Sequence, residues 1–201
     1  MKKILLTVLA SGTACLALTS VPAFAVMPIT SGWYFEANGG TSRQQDTSNN
    51  GRLSSNMTGL GGSGNIGYKF MPYVGVEAGY TQYSLERLEL NNVTVLKNRP
   101  YDYHAAVKGI IPIGNSGFEP FAKIGYARVK TKYQVIDPAL LAVSNATASN
   151  ASSSGVYLGV GAEYYFMQEF AVIVQWARAK GNGSVTGEMD LYSIGASFIF
   201  N

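Results

Sequence analysis

The sequence predicts an all-β fold, an eight-stranded antiparallel up-and-down transmembrane β-barrel, and three observations carry that expectation. Apolar residues return at every second position through most of the chain, which is the period of a strand whose two faces meet different surroundings. Charged residues make up only 13% of it, against about a quarter in an ordinary soluble domain, so much of the surface is built for something other than water. Beyond residue 25 no apolar run approaches the ~18 residues that a spanning helix requires, which leaves the crossing to strands.

The N-terminus reads as an export signal and is set apart from the fold. Lys2 and Lys3 precede an apolar stretch from Ile4 to Leu18, and Ala23-Phe24-Ala25 supplies the small-x-small cleavage site. Residues 1–25 are therefore expected to be removed and residues 26–201 to form the barrel domain. A transmembrane helix in their place would be interrupted by Ser11, Gly12, Thr13, Thr19, Ser20 and Pro22. Cys15, the single cysteine, lies inside this segment, and Gly12-Thr13-Ala14 before it lacks the leucine usual ahead of a lipidated cysteine. The mature chain then has no thiol, which excludes disulfides and cysteine ligands. Loss of Lys2 and Lys3 takes 15 basic residues to 13 against 12 acidic ones, a formal charge of +1. So neutral a chain has no broad basic face for nucleic acid.

Eight stretches carry the alternation. They are Trp33 to Thr41 with Glu36 on the polar face, Thr58 to Phe70 with Lys69, and Tyr73 to Leu85 with Glu77. Tyr101 to Ile113 follows with Lys108, Phe118 to Tyr133 with Lys123, Gly155 to Phe166 with Glu163, then Phe170 to Ala179 and Asp190 to Phe200. In the sixth, Val156, Leu158, Val160, Ala162, Tyr164 and Phe166 alternate with Tyr157, Gly159, Gly161, Glu163 and Tyr165. In the last, Tyr192, Ile194, Ala196, Phe198 and Phe200 share a face with Asp190 at the mouth, and Leu191, Ser193, Gly195, Ser197 and Ile199 form the other.

A soluble sandwich alternates too, so the chemistry of each face decides between them. The charged side chains share their face with most of the glycines, as a narrow, wet interior would require, while Val, Ile, Leu, Phe and Tyr fill the face that would meet hydrocarbon. Closure follows, because an open edge in lipid strands backbone groups at several kcal/mol each.

The connections are unequal. Met71-Pro72, Gly114 to Gly117 and Met167-Gln168 read as tight turns, whereas Ser42 to Met57, Glu86 to Asn98, Gln134 to Ser154 and Lys180 to Gly187 read as long polar loops on the external side. Within them Ala142 to Ser154 is nearly all Ala, Ser, Asn and Thr and is expected to be a mobile surface loop without an active site. Trp33, Tyr73, Tyr101, Tyr133, Trp176 and Tyr192 stand near strand ends as candidates for interfacial girdles.

Several segments together resemble the OmpA-like transmembrane domain. They are Gly32-Trp33-Tyr34, Met71 to Tyr80, Ala106 to Gly109, Ala122 to Tyr126, Gly161 to Tyr164 and the closing Tyr192 to Phe200. The resemblance spans essentially the whole mature chain. It implies an eight-stranded barrel in the outer membrane of a Gram-negative bacterium with both termini in the periplasm, and a lumenal cluster of acids and bases that blocks or gates a water path. By position that cluster is Glu77, Lys108, Lys123 and Glu163. Where the family has an arginine and a nearby glutamate on the seventh strand this chain has Ala171 and Ile173, so half of a partner-exchanging gate is missing. The chain stops at Asn201, without the peptidoglycan-binding domain that often follows, and one residue past the terminal aromatic Phe200.

Other chemistry is weakly represented. The single histidine, His104, lies two residues from Asp102 on the inward face near the outer mouth, with no serine close in sequence to act as nucleophile, and it reads as a structural pair. Gly59 to Gly64 has glycine spacing faintly like a nucleotide loop but lacks the lysine that ends one, and packing of strand glycines inside the barrel is the better account. No catalytic, cofactor-binding or metal site is expected. The expected partners are outer-membrane lipid and lipopolysaccharide, the barrel-assembly machinery during insertion, and a host or environmental surface ligand on the loops. The expected function is structural or surface-exposed, with a narrow pore for ions or small solutes as the alternative.

Overall fold

The structure, a computed structural model, describes residues 28–45, 56–84, 86–90, 93–135, 151–181 and 187–201. Its strands are β1 (Gly32–Gln45), β2 (Asn56–Met71), β3 (Val74–Gln82), β4 (Glu86–Leu90), β5 (Val93–Ile110), β6 (Phe118–Val135), β7 (Ala151–Tyr165), β8 (Phe170–Lys180) and β9 (Glu188–Phe200). All pair antiparallel in the order β3-β2-β1-β9-β8-β7-β6-β5-β4, and β3 also pairs with β5. That last ladder closes a ring of eight strands and leaves no open edge for lipid to meet. The short β4 lies beyond β3 along the same side of β5.

The register fixes the tilt. Partners followed once round the wall lead from Phe200 in β9 through Trp33, Tyr68, Val76, Val107, Ile124, Leu158 and Arg178 back to β9 at Asp190, ten residues up the strand. A shear of that size over eight strands corresponds to a tilt of roughly 40°. Each hydrogen-bonded row therefore climbs toward the loop end as it passes from β9 through β1, β2 and β3 to β5 and β6.

The three tight turns fall at Pro72–Tyr73, Gly114–Gly117 and Phe166–Glu169. Gly114 and Gly117 hold φ of +54° and +71°, the left-handed region where a Cβ is strained. At the opposite end the strands outrun the sequence expectation. β4 and the start of β5 occupy most of the stretch Glu86 to Asn98 that reads as loop, with Glu86 opposite Asn98 and Leu88 opposite Leu96. Leu88 with Leu90 and Val93 with Val95 keep the two-residue spacing of a strand on either side of Asn91-Asn92 in the sequence. Likewise Ala151 to Ser154, the end of the Ala/Ser/Asn/Thr stretch, pair with Arg128 to Thr131 in strand. β1 reaches Gln45, and β2 begins at Asn56. The remainder of the expected loops, and residues 1–25, lie outside the described residues.

Inward and outward faces alternate along every spanning strand. Phe35, Ile66, Val107, Ile124, Val160, Val174 and Ile194 stand exposed on the outer wall. Trp33, Tyr68 and Phe70 form edge contacts at the turn end, and Tyr80, Tyr101 and Tyr103 cluster at the loop end. The side chain of Tyr133 lies outside those described. The Gly59 to Gly64 stretch lies within β2, where Gly59 and Gly61 belong to the inward-facing set while Gly62 and Gly64 face outward with the exposed Leu60 and Ile66, so packing inside the barrel accounts for two of the four glycines.

The lumen is drier than its small and charged residues suggest. At the turn end Tyr34, Tyr165, Ala171 and Ile199 pack together with Ile29 against them, and Ile110, Phe121 and Ile173 form a second cluster. Toward the loop end Tyr83, Val129, Tyr157, Met189 and Leu191 fill the bore. A barrel of eight strands is only wide enough for side chains to fill it, so larger apolar residues replace water wherever no charge needs it.

Candidate functional site

Between these apolar layers five charged side chains meet. Glu36 comes from β1, Glu77 from β3, Lys108 from β5, Lys123 from β6 and Glu163 from β7, and each is at most 4% exposed. Register places Lys108 directly beside Lys123 on neighbouring strands, an arrangement that is repulsive by itself. Glu36 relieves it from across the lumen, accepting from Lys108 Nζ at 2.7 Å through Oε1 and from Lys123 Nζ at 2.8 Å through Oε2. Lys108 also donates to Glu163, and Lys123 lies 2.9 Å from Glu77 Oε1 in an ion contact whose angles fall short of a hydrogen bond. The result is a continuous chain, Glu163–Lys108–Glu36–Lys123–Glu77.

Its ends and centre are held by neutral donors. The Tyr34 hydroxyl donates to Glu77 Oε2 at 3.1 Å, the Tyr165 hydroxyl to Glu163 Oε2 at 3.2 Å, and Asn65 Nδ2 to Glu36 Oε2 at 3.0 Å. Lys108 Nζ also sits 4.4 Å from the Phe121 ring centroid and Lys123 Nζ 5.0 Å from it, so one aromatic ring serves both ammonium groups. Gly67 leaves the room that the Tyr34 ring occupies, since a Cβ there would fall 2.3 Å from its Cζ.

A second pair lies nearer the turn end. Lys69 Nζ donates to both oxygens of Glu119, at 3.0 and 2.9 Å, and both residues are buried. Glu119 is the register partner of Glu163, and the two adjacent carboxylates are drawn to different cations, Glu119 to Lys69 and Glu163 to Lys108. Glu119 shares the inward parity of Lys123, so alternation could have found it, but an acid one residue into a strand after a turn looks like an ordinary surface group. Glu36 does alternate inward, but its place at the centre depends on which strand lies opposite. The hydroxyls of Tyr34 and Tyr165 were equally invisible among strand aromatics.

Above the ion chain stands the His104 layer. His104 Nδ1 is 2.8 Å from Asp102 Oδ1, Tyr83 donates to Asp102 Oδ2 at 2.5 Å, and the His104 ring stacks on Tyr157 at 4.0 Å and 7°. His104 Nε2 has no hydrogen-bond partner and looks toward Gly79, whose missing side chain leaves space for it and for Asn65 Oδ1. On the seventh strand of the ring, Ala171 and Ile173 are fully buried in the apolar clusters, Ile173 packing with Phe121. Dry contacts therefore stand where the resemblance would have an arginine and a glutamate.

The architecture has solved counterparts. Neisserial surface protein A is similar over 86% of this chain and 99% of its own, with a TM-score of 0.63 at 14% identity. OprG of Pseudomonas aeruginosa covers 88% of this chain and 99% of its own, with a TM-score of 0.60 at 14% identity. Ail, the attachment invasion locus protein of Yersinia pestis, solved with the heparin analogue sucrose octasulfate, covers 86% and 100%, with a TM-score of 0.59 at 14% identity. At such identity these likenesses concern the fold. No curated protein matches in sequence. Residues 11–200, however, match the model of a family described as the outer membrane protein beta-barrel domain; with its closed eight-stranded wall and apolar exterior, the chain belongs to that family and resides in the outer membrane of a Gram-negative bacterium.

Proposed function

We propose that the protein serves at the cell surface, its long external segments binding a host or environmental surface, while the barrel is a closed anchor for them. The observation that carries this reading is the stack of layers in the bore: apolar packing around Tyr34 and Ile199, the ion chain from Glu163 to Glu77, and apolar packing around Tyr157 and Leu191. A solute would have to displace all three. Breaking one buried ion pair alone costs about 3–5 kcal/mol. A barrel of the same fold is named an attachment protein and holds a sulfated heparin analogue in its crystal, which makes sulfated glycans the first ligands to try. The test is attachment of cells expressing the full chain to glycosaminoglycan-coated and host-cell surfaces, against cells whose chain lacks residues 136–150. Equal attachment at equal surface expression would refute the reading.

The alternative is a narrow pore, which the polar chemistry of Glu36, Glu77, Lys108, Lys123 and Glu163 favours over an inert core. Planar bilayers separate the two: silence fits the anchor, and reproducible conductance steps that change with Glu77→Gln or Lys108→Met fit the pore. We read His104 as structural rather than catalytic, since its Nδ1 is engaged by Asp102 and its ring by Tyr157. Lipid A with unchanged masses in cells with and without the protein is the expected result. Cleavage after Ala25 and insertion by the barrel-assembly machinery complete the proposal, and a mature N-terminus at Val26 in mass spectrometry is its check.

A further inference from the structure

Two groups of outward-facing cations at the loop end have opposite surroundings. On β8, Arg178 binds Asp190 through Nε at 2.7 Å and Glu188 through Nη1 at 3.0 Å, and Lys180 pairs with Glu188 at 3.0 Å. On β5 and β6, Arg99, Arg128 and Lys130 have no ion pair among the described residues; Lys130 merely overlies the Tyr103 ring at 5.9 Å. Among the described residues this wall of the barrel therefore lacks the carboxylates that answer Arg178 and Lys180 on β8.

An apolar groove of about 760 Å³ runs up to that spot. Its floor is Ala37, Gly64 and Ala196, and Phe35, Tyr80 and Tyr103 rise along it. The register makes the connection explicit: Ala196, Ala37, Gly64, Tyr80, Tyr103 and Arg128 are successive partners in a single row across β9, β1, β2, β3, β5 and β6. Four strand spacings separate Ala196 from Tyr103, roughly 19 Å, on the scale of an extended acyl chain. Because rows climb the tilted wall, Arg128 stands roughly 9 Å nearer the loop end than Gly64. Apolar depression, tyrosines and unpaired cations thus follow one another in the order in which an outer-leaflet lipid presents tail, interface and phosphate.

We propose that this row is a binding site for the phosphorylated glycolipid of the outer leaflet, with an acyl chain in the groove over Ala37, Gly64 and Ala196 and a phosphate on Arg99, Arg128 and Lys130. The site rests on the outer-membrane location alone and is independent of what the loops bind. Charge complementarity selects the occupant: a second copy of the chain brings no matching acids on this wall among the described residues, and a soluble polyanion leaves the groove unused.

The experiment is native mass spectrometry of the purified full barrel titrated with bisphosphorylated lipid A, with its dephosphorylated form, and with heparin fragments as soluble competitor. Three proteins are compared: the wild type, R99Q/R128Q/K130Q, and the groove-filling A37L/A196L, each confirmed as folded by a heat-dependent shift in gel mobility. The wild type is expected to retain the bisphosphorylated form at least tenfold better than the dephosphorylated one. The charge variant is expected to lose that preference, and the groove variant to bind both lipids several-fold less well. The proposal is overturned if the charge variant keeps the preference, if the groove variant binds lipid A unchanged while heparin displaces it fully, or if the wild type is instead a dimer that the groove variant dissociates.

Discussion

Lys108 and Lys123 are register partners on β5 and β6, and both are answered by one carboxylate, Glu36, reaching across the lumen from β1. Two like charges placed side by side thereby become the reason for a contact between opposite walls. The sequence separations of 72 and 87 residues mean that this contact forms only when the ring has closed, so the ion chain stabilises the barrel as a whole rather than any one hairpin.

Replacement of Glu36 should therefore be the most damaging single change in the lumen. Glu36→Ala leaves two buried ammonium groups sharing Glu77 and Glu163, and a loss of about 3–5 kcal/mol is expected. The urea midpoint for unfolding from lipid vesicles measures it; a midpoint within error of wild type would show that the chain of pairs contributes nothing.

His104 and Asp102 should behave as a coupled pair. His104→Phe preserves stacking on Tyr157 but removes the Nδ1 partner of a fully buried carboxylate. The double variant with Asp102→Asn is expected to be more stable than the sum of the two single losses, with a coupling of about 1–3 kcal/mol. Strict additivity would place the two residues in independent environments.

Gly79 tests the packing around that layer. A Cβ there would lie 2.0 Å from Asn65 Oδ1 and 2.4 Å from His104 Nε2, so Gly79→Ala should cost about 1–3 kcal/mol by overpacking. Gly109→Ala is the control, because its nearest neighbour would be Ala122 O at 3.9 Å. Equal stability of the two variants would contradict the tight approach at Gly79.

The outer network should be worth far less. Arg178, 29% exposed, is bound to Asp190 and Glu188 near the loop end. Glu188→Gln, at a carboxylate 22% exposed, is expected to lower stability by no more than about 1 kcal/mol, a loss that shrinks as salt is added and the charges are screened. A salt-independent loss as large as that for Glu36 would mean that these pairs are effectively buried.

Much of the wall was legible in the sequence because a strand between lipid and lumen must alternate. From Tyr34 and Glu36 inward against Trp33 and Phe35 outward, to Ile199 inward against Phe198 and Phe200 outward, the period of two is the geometry itself. Glu77, Lys108, Lys123 and Glu163 were legible as inward charges for the same reason. Their pairing was not, because partners across the lumen are set by shear and strand order, which no single strand records. The hairpin of β4 and the start of β5 reads as loop because its two apolar pairs, Leu88 with Leu90 and Val93 with Val95, are short and interrupted by Asn91-Asn92. Leu191 reads as an ordinary inward position, yet together with Met189 it fills the bore, since how much water a lumen admits depends on its radius.

Everything described depends on the ladder between β3 and β5, the contact that turns a sheet into a barrel with an inside and an outside. Ala78 and Ala105 are direct partners in it, and Cys15 is the only native cysteine. In a chain carrying Cys15→Ser, Ala78→Cys and Ala105→Cys, mild oxidation of the inserted protein should form the cross-link in high yield, whereas Ala78→Cys with Gly109→Cys, four residues out of register, should not. Failure of the first pair to close, or equal closure of both, would contradict the closed barrel.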